Sequence, residues 1–130
     1  MNRMLHTMLR VSDLTRSISF YTDVMGMKLL RTLEQDSEGY TLAFLGYADE
    51  SETSVLELTY NHGVSEYDMG NAYGHIAIGV QNIVHTVAAI KKLGANFSLD
   101  ATPLKNSNEI IAFVSDPDGY QIELIERPDV

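Results

Sequence analysis

The chain has 130 residues, one domain's worth, with 45% hydrophobic residues and so enough apolar material for a sizeable core. Nine Lys and Arg face 18 Asp and Glu, a net charge of −9, which argues against nucleic acid or an anionic membrane as partner because both need clustered cations. Cysteine is absent, which excludes disulfides and thiolate metal sites. No stretch has the apolar core of a secretory signal or transmembrane length, so a cytoplasmic protein is expected.

Met4 to Val11 alternates as a strand, with Met4, His6, Met8 and Arg10 on one face and Leu5, Thr7, Leu9 and Val11 on the other. Asp13 suits a helix N-cap, and Leu14, Ile18, Tyr21 and Met25 recur as one amphipathic stripe ending at Gly26. Met27–Leu33, Tyr40–Tyr47 and Ser54–Tyr60 read as three strands, completing a βαβββ order. A connector over about 62–71 follows. From Tyr73 the order restarts: a strand to Val80, a cap at Asn82, a helical stripe of Ile83, Val87, Ile90 and Leu93, and Gly94 at its end. Ala95–Ala101, Glu109–Ser115 and Tyr120–Glu126 are the remaining strands, the last two joined by the turn Asp116-Pro117-Asp118-Gly119. The expectation is an α+β fold over 1–130 made of two tandem βαβββ modules, about 1–61 and 72–130, with mixed sheets.

Each module opens on a strand carrying a histidine, His6 or His75. Each closes on an aliphatic strand with a glutamate at its centre: Val55-Leu56-Glu57-Leu58-Thr59 and Gln121-Ile122-Glu123-Leu124-Ile125. Glutamate follows histidine after 51 residues in one copy and 48 in the other. Taken singly, a strand histidine is more often packed than ligating, and a strand glutamate more often solvated. The repetition of the pair is what points to a cation, since ionised carboxylates enter apolar surroundings only when something holds them. Two imidazoles and two carboxylates without thiolate suit six-coordinate Ni, Co, Mn or Fe, with Zn also open.

His6-Thr7-Met8-Leu9-Arg10-Val11, Phe20-Tyr21-Thr22 with Met25-Gly26-Met27, Glu57-Leu58-Thr59-Tyr60-Asn61, Gly74-His75-Ile76, and Ala112-Phe113-Val114 through Asp116-Pro117-Asp118-Gly119-Tyr120 to Ile122-Glu123 resemble, over nearly the whole chain, the glyoxalase I family of short bacterial type. That family lies within the vicinal-oxygen-chelate superfamily. The resemblance implies curved mixed sheets and a homodimer with active sites between subunits, the metal held by His6 and Glu57 of one chain and His75 and Glu123 of the other. It implies Ni²⁺, with Co²⁺ or Zn²⁺ as alternatives, and glutathione as co-substrate. The implied activity is lactoylglutathione lyase: the methylglyoxal–glutathione hemithioacetal is isomerised to S-lactoylglutathione through an enediolate. Glu123 is then the first choice of base, Glu57 acts from the opposite side, and Arg10, Asn61 and Lys105 match substrate-binding positions. The chain departs from the family at Asn106-Ser107-Asn108, where glycines are usual after the lysine, and at Asn71, where some members carry arginine. Extradiol dioxygenases, epimerases of coenzyme A thioesters, fosfomycin-inactivating thiol transferases and a metal-free drug-binding protein share the architecture. Four intact ligands with Arg10 and Asn61 favour the lyase. His62 and His85 receive no role.

Overall fold

The computed structural model describes all 130 residues, which divide into two units, Met1–Asp68 and Met69–Val130. In the first unit the elements are β1 (His6–Arg10), α1 (Leu14–Ser19) continued by a π-helical turn (Phe20–Val24), β2 (Lys28–Gln35), a 3₁₀ turn (Asp36–Glu38), β3 (Tyr40–Gly46) and β4 (Val55–Asn61). In the second they are β5 (His75–Val80), α2 (Ile83–Lys92), β6 (Asn96–Pro103), β7 (Ile110–Ser115) and β8 (Gln121–Glu126). Each unit is thus βαβββ, and the tandem α+β order expected from the sequence is present.

The sheets have the same wiring. Their strand orders are β1-β4-β3-β2 and β5-β8-β7-β6, with the first and last strands of each unit parallel and all other pairs antiparallel. The parallel pairing is what brings the two ends of each repeat side by side. It also follows from the connection, since a helix between the first two strands lets the chain return to the starting edge.

In β4 and β8 the alternation places Leu56, Leu58, Ile122 and Leu124 on buried positions, and Glu57 and Glu123 on the opposite face. Val11, Tyr21, Leu45 and Leu58 are wholly buried in the first unit, as are Ile83, Val114, Ile122 and Leu124 in the second. The helices start as their capping residues dictate. The side chain of Asp13 accepts from the Arg16 amide and that of Asn82 from the His85 amide, each at 3.0 Å.

Three sequence expectations are corrected. The stripe ending at Met25 is not one α-helix: the Met25 amide bonds to the carbonyl of Phe20 at 3.0 Å, an i→i+5 bond, while the Thr22 hydroxyl bonds to the Ile18 carbonyl at 2.8 Å. Phe20 and Tyr21 in this wider turn, and Met25 at its end, are all buried. Leu93, assigned to the buried stripe of α2, is 59% exposed because the chain leaves the helix there and Gly94 turns it with φ +88°. Strand ends move by one or two residues where turn geometry rather than alternation decides: β2 runs on to Gln35, and β5 begins at His75 rather than Tyr73.

Leu58→Ala and Leu124→Ala occupy equivalent, fully buried places in the two sheets and should each cost about 2–5 kcal/mol in urea denaturation. An effect confined to one of them would contradict the equivalence of the two cores.

Candidate metal centre and active site

The parallel registers determine which side chains meet. In the first unit β1 lies beside β4 with Met8 opposite Glu57 and Arg10 opposite Thr59; in the second β5 lies beside β8 with Ala77 opposite Glu123. Histidine is two residues before Met8 or Ala77, on the same face, so its ring reaches along the sheet toward the glutamate. His6 Nε2 is 3.7 Å from Glu57 Oε2, and His75 Nε2 is 3.2 Å from Glu123 Oε1. The imidazoles are 40% and 42% exposed while the carboxylates are 14% and 13% exposed, the same arrangement twice. The four expected ligands therefore come together two by two. No group of three or more His, Asp or Glu side chains gathers within the chain.

An aromatic ring stands beside each pair. Phe44 is opposite Glu57 and Phe113 opposite Glu123. The Phe44 and His6 rings meet at 5.9 Å and 83°, and the Phe113 and His75 rings at 5.1 Å and 81°, both edge-on. Sequence reasoning passed over these phenylalanines, although the repeat carried the signal: each lies on the strand preceding the glutamate strand. Edge-on packing fixes the plane of each imidazole without using its nitrogens.

The carboxylates fit a cation. Neither glutamate makes any other side-chain hydrogen bond or ion pair; a histidine stands beside each mostly buried carboxylate, and the more distant Arg31 also feels the charge of Glu57. Nitrogen and oxygen donors without sulfur match a divalent metal of borderline-to-hard character.

Of the other expected residues, Arg10 lies exposed on the His6 face of β1. Asn61 ends β4, where its side-chain amide donates to the Tyr67 hydroxyl at 3.1 Å. Lys105 is exposed in the turn joining β6 to β7, closed by the Leu104 amide on the Glu109 carbonyl at 2.8 Å. His62 is held locally: its Nε2 is 2.8 Å from the Thr41 hydroxyl and its ring lies against Tyr60. His85 is exposed on α2.

Residues 3–124 match the pattern of the Glyoxalase/Bleomycin resistance protein/Dioxygenase superfamily. Lactoylglutathione lyase of Salmonella typhimurium is 60% identical over 127 residues, covering 98% of this chain and 94% of that protein. The chain belongs to the glyoxalase I (lactoylglutathione lyase) family. Solved glyoxalase I structures agree. The Zea mays enzyme superposes with a TM-score of 0.95 at 45% identity, covering 98% of this chain and 46% of the maize chain, so the present chain spans about half the maize length. The trypanothione-dependent glyoxalase I of Leishmania major superposes with a TM-score of 0.86 at 50% identity, over 97% of this chain and 87% of that one. No helix is long and apolar enough to cross a membrane.

A mostly buried carboxylate costs the metal-free protein stability. Glu57→Gln and Glu123→Gln should therefore leave the thermal midpoint of metal-free protein unchanged or raised, while removing the upward shift that added Co²⁺ gives the wild type. A substantial fall in the metal-free midpoint would make the glutamates structural instead.

Proposed function

We propose that this chain is a lactoylglutathione lyase that isomerises the methylglyoxal–glutathione hemithioacetal to S-lactoylglutathione. Near full-length identity of 60% to a lactoylglutathione lyase carries the reading, and the twice-built His–Glu pair supplies the donors that the chemistry needs.

His6, Glu57, His75 and Glu123 would hold one divalent metal per site, with Ni²⁺ first and Co²⁺ or Zn²⁺ as alternatives. Following the family resemblance, we place the full set in a homodimer, where His6 and Glu57 of one protomer meet the partner subunit's His75 and Glu123. A divalent cation there supplies Lewis acidity, which lowers the cost of negative charge on the substrate oxygens by several kcal/mol.

The protein's own part is proton management and positioning. Over the reaction the proton on the sulfur-bearing carbon moves to the neighbouring carbon, and the hydroxyl proton moves to the neighbouring oxygen. The hemithioacetal thereby becomes a thioester with no net change in atoms. Glu123 takes the carbon-bound proton and returns it one carbon along, and Glu57 serves the opposite face; such acid–base catalysis is worth roughly 10²–10⁴-fold. Both carboxylates sit on the middle of a strand, so the backbone holds them in place and only their outer bonds need turn. Phe44 and Phe113 give each pair an apolar flank. Glutathione is anionic and the chain carries −9, so local donors must hold it: Arg10 and Lys105 for its carboxylates and Asn61 for a peptide group. A cytoplasmic setting, where glutathione is kept reduced, completes the proposal.

Metal-free protein reconstituted with Ni²⁺, Co²⁺ or Zn²⁺ should form thioester from methylglyoxal and glutathione; no thioester with any of them rules the activity out. Glu123→Gln should abolish turnover while His85→Ala retains it, since His85 lies on the exposed side of α2. Arg10→Ala should raise KM for the adduct more than it lowers kcat, and an unchanged KM would take Arg10 out of the substrate site.

A further inference from the structure

We propose that Arg31, clamped by Glu50, is a positioning residue for the His6–Glu57 pair, acting through the ring of Phe44. The proposal rests on the reading of that pair as half of a metal site.

The strand registers put Arg31 opposite Phe44 and Phe44 opposite Glu57, so the three lie in one row across the sheet. The Arg31 guanidinium lies over the phenyl ring, its Cζ 3.7 Å from the ring centroid. Two hydrogen bonds hold it there, from Nε to Glu50 Oε2 at 2.7 Å and from Nη2 to Glu50 Oε1 at 3.0 Å. A forked ion pair favours one orientation of the guanidinium. Phe44 is 3% exposed, with the guanidinium against its face and the His6 imidazole edge-on to it. The chain of contacts Glu50–Arg31–Phe44–His6 thus ends on a candidate ligand.

Glu50 also ties to the segment that leads into His6. Its backbone carbonyl accepts from Arg3 at 2.5 Å, and the loop it belongs to is fastened to the segment before β1 by the Ser54 hydroxyl, which donates to the Met4 carbonyl. One acidic residue therefore holds the segment leading into His6 with its backbone and the ring beside His6 with its side chain.

The second unit shows that the sheet does not require this device. There Leu99 stands opposite Phe113, in the place of Arg31, and the Phe113–His75 contact forms without a cation. Strand packing alone accepts leucine at that position. The clamp has a charge logic as well. The hydrogen bonds to Glu50 raise the already high Arg31 pKa, with the negative charge of Glu57 adding to it, and a bare guanidinium within the field of Glu57 would oppose binding of a metal ion. Paired with Glu50 the cation is neutralised. The Arg31 partner in turn lowers the Glu50 carboxyl below its ordinary value, so this pairing is present above the glutamate range and fades as pH falls through it.

Titration calorimetry of Co²⁺ into metal-free protein, with thermal melts of the same samples, tests the proposal. Arg31→Leu, which copies the second unit, should weaken Co²⁺ binding by about tenfold or more, as loss of a group that orients a ligand does. Glu50→Gln, which leaves the guanidinium uncompensated, should weaken it too. Arg31→Lys should fail to restore wild-type affinity, because an ammonium neither forks nor stacks. Wild-type affinity in Arg31→Leu or Glu50→Gln overturns the proposal. So does full recovery in Arg31→Lys, which would reduce the role to charge, or a loss that merely follows a collapse of the metal-free melting temperature. Failure of the wild type itself to bind Co²⁺ counts instead against the metal-site reading under Proposed function.

Discussion

A carboxylate set in the middle of an apolar strand, with an imidazole on the parallel neighbouring strand as its one side-chain partner, is the constraint on which the rest depends. Glu57 and Glu123 are flanked in sequence by aliphatic residues that are buried on the other face of the sheet, so neither can turn away without exposing core. Burial makes the charge expensive to keep alone. The fold accepts that cost twice, with His6 at 3.7 Å and His75 at 3.2 Å, and the cost is of the kind offset when a cation binds.

Duplication explains the equal wiring, but the two copies have diverged on the face that carries the donors. Arg10 lies four residues beyond His6; the equivalent position after His75 is Gly79. A side chain there would meet Val130 at 3.3 Å and Arg127 at 3.5 Å, because the C-terminal segment folds over β5 and bonds the Arg127 amide to the Val80 carbonyl at 2.7 Å. Arg31 likewise answers to Leu99. At these two positions the first unit carries cations, and the second a glycine and a leucine. Two repeats with one ligand pair each have divided the accompanying work unequally.

The helices show how local chemistry and tertiary demand share control. Capping by Asp13 and Asn82 was legible because a short side-chain oxygen before an apolar stripe has one good use. The π-helical turn at Phe20–Val24 was not, because the same apolar spacing fits a regular α-helix and nothing local distinguishes the two. Leu93 misled for the converse reason: its spacing continued the stripe of α2, but Gly94 had already ended the helix.

From the amino-acid sequence alone came the repeat, the βαβββ order, both caps, both His–Glu pairs and the resemblance to glyoxalase I, because each is a matter of residue type at short or repeated spacing. Tertiary structure decided the parallel pairing of first and last strands, the edge-on phenylalanines, and the Glu50–Arg31–Phe44 contact that ends at His6. These depend on register between strands far apart in the chain, and one residue of slip would turn every side chain to the other face.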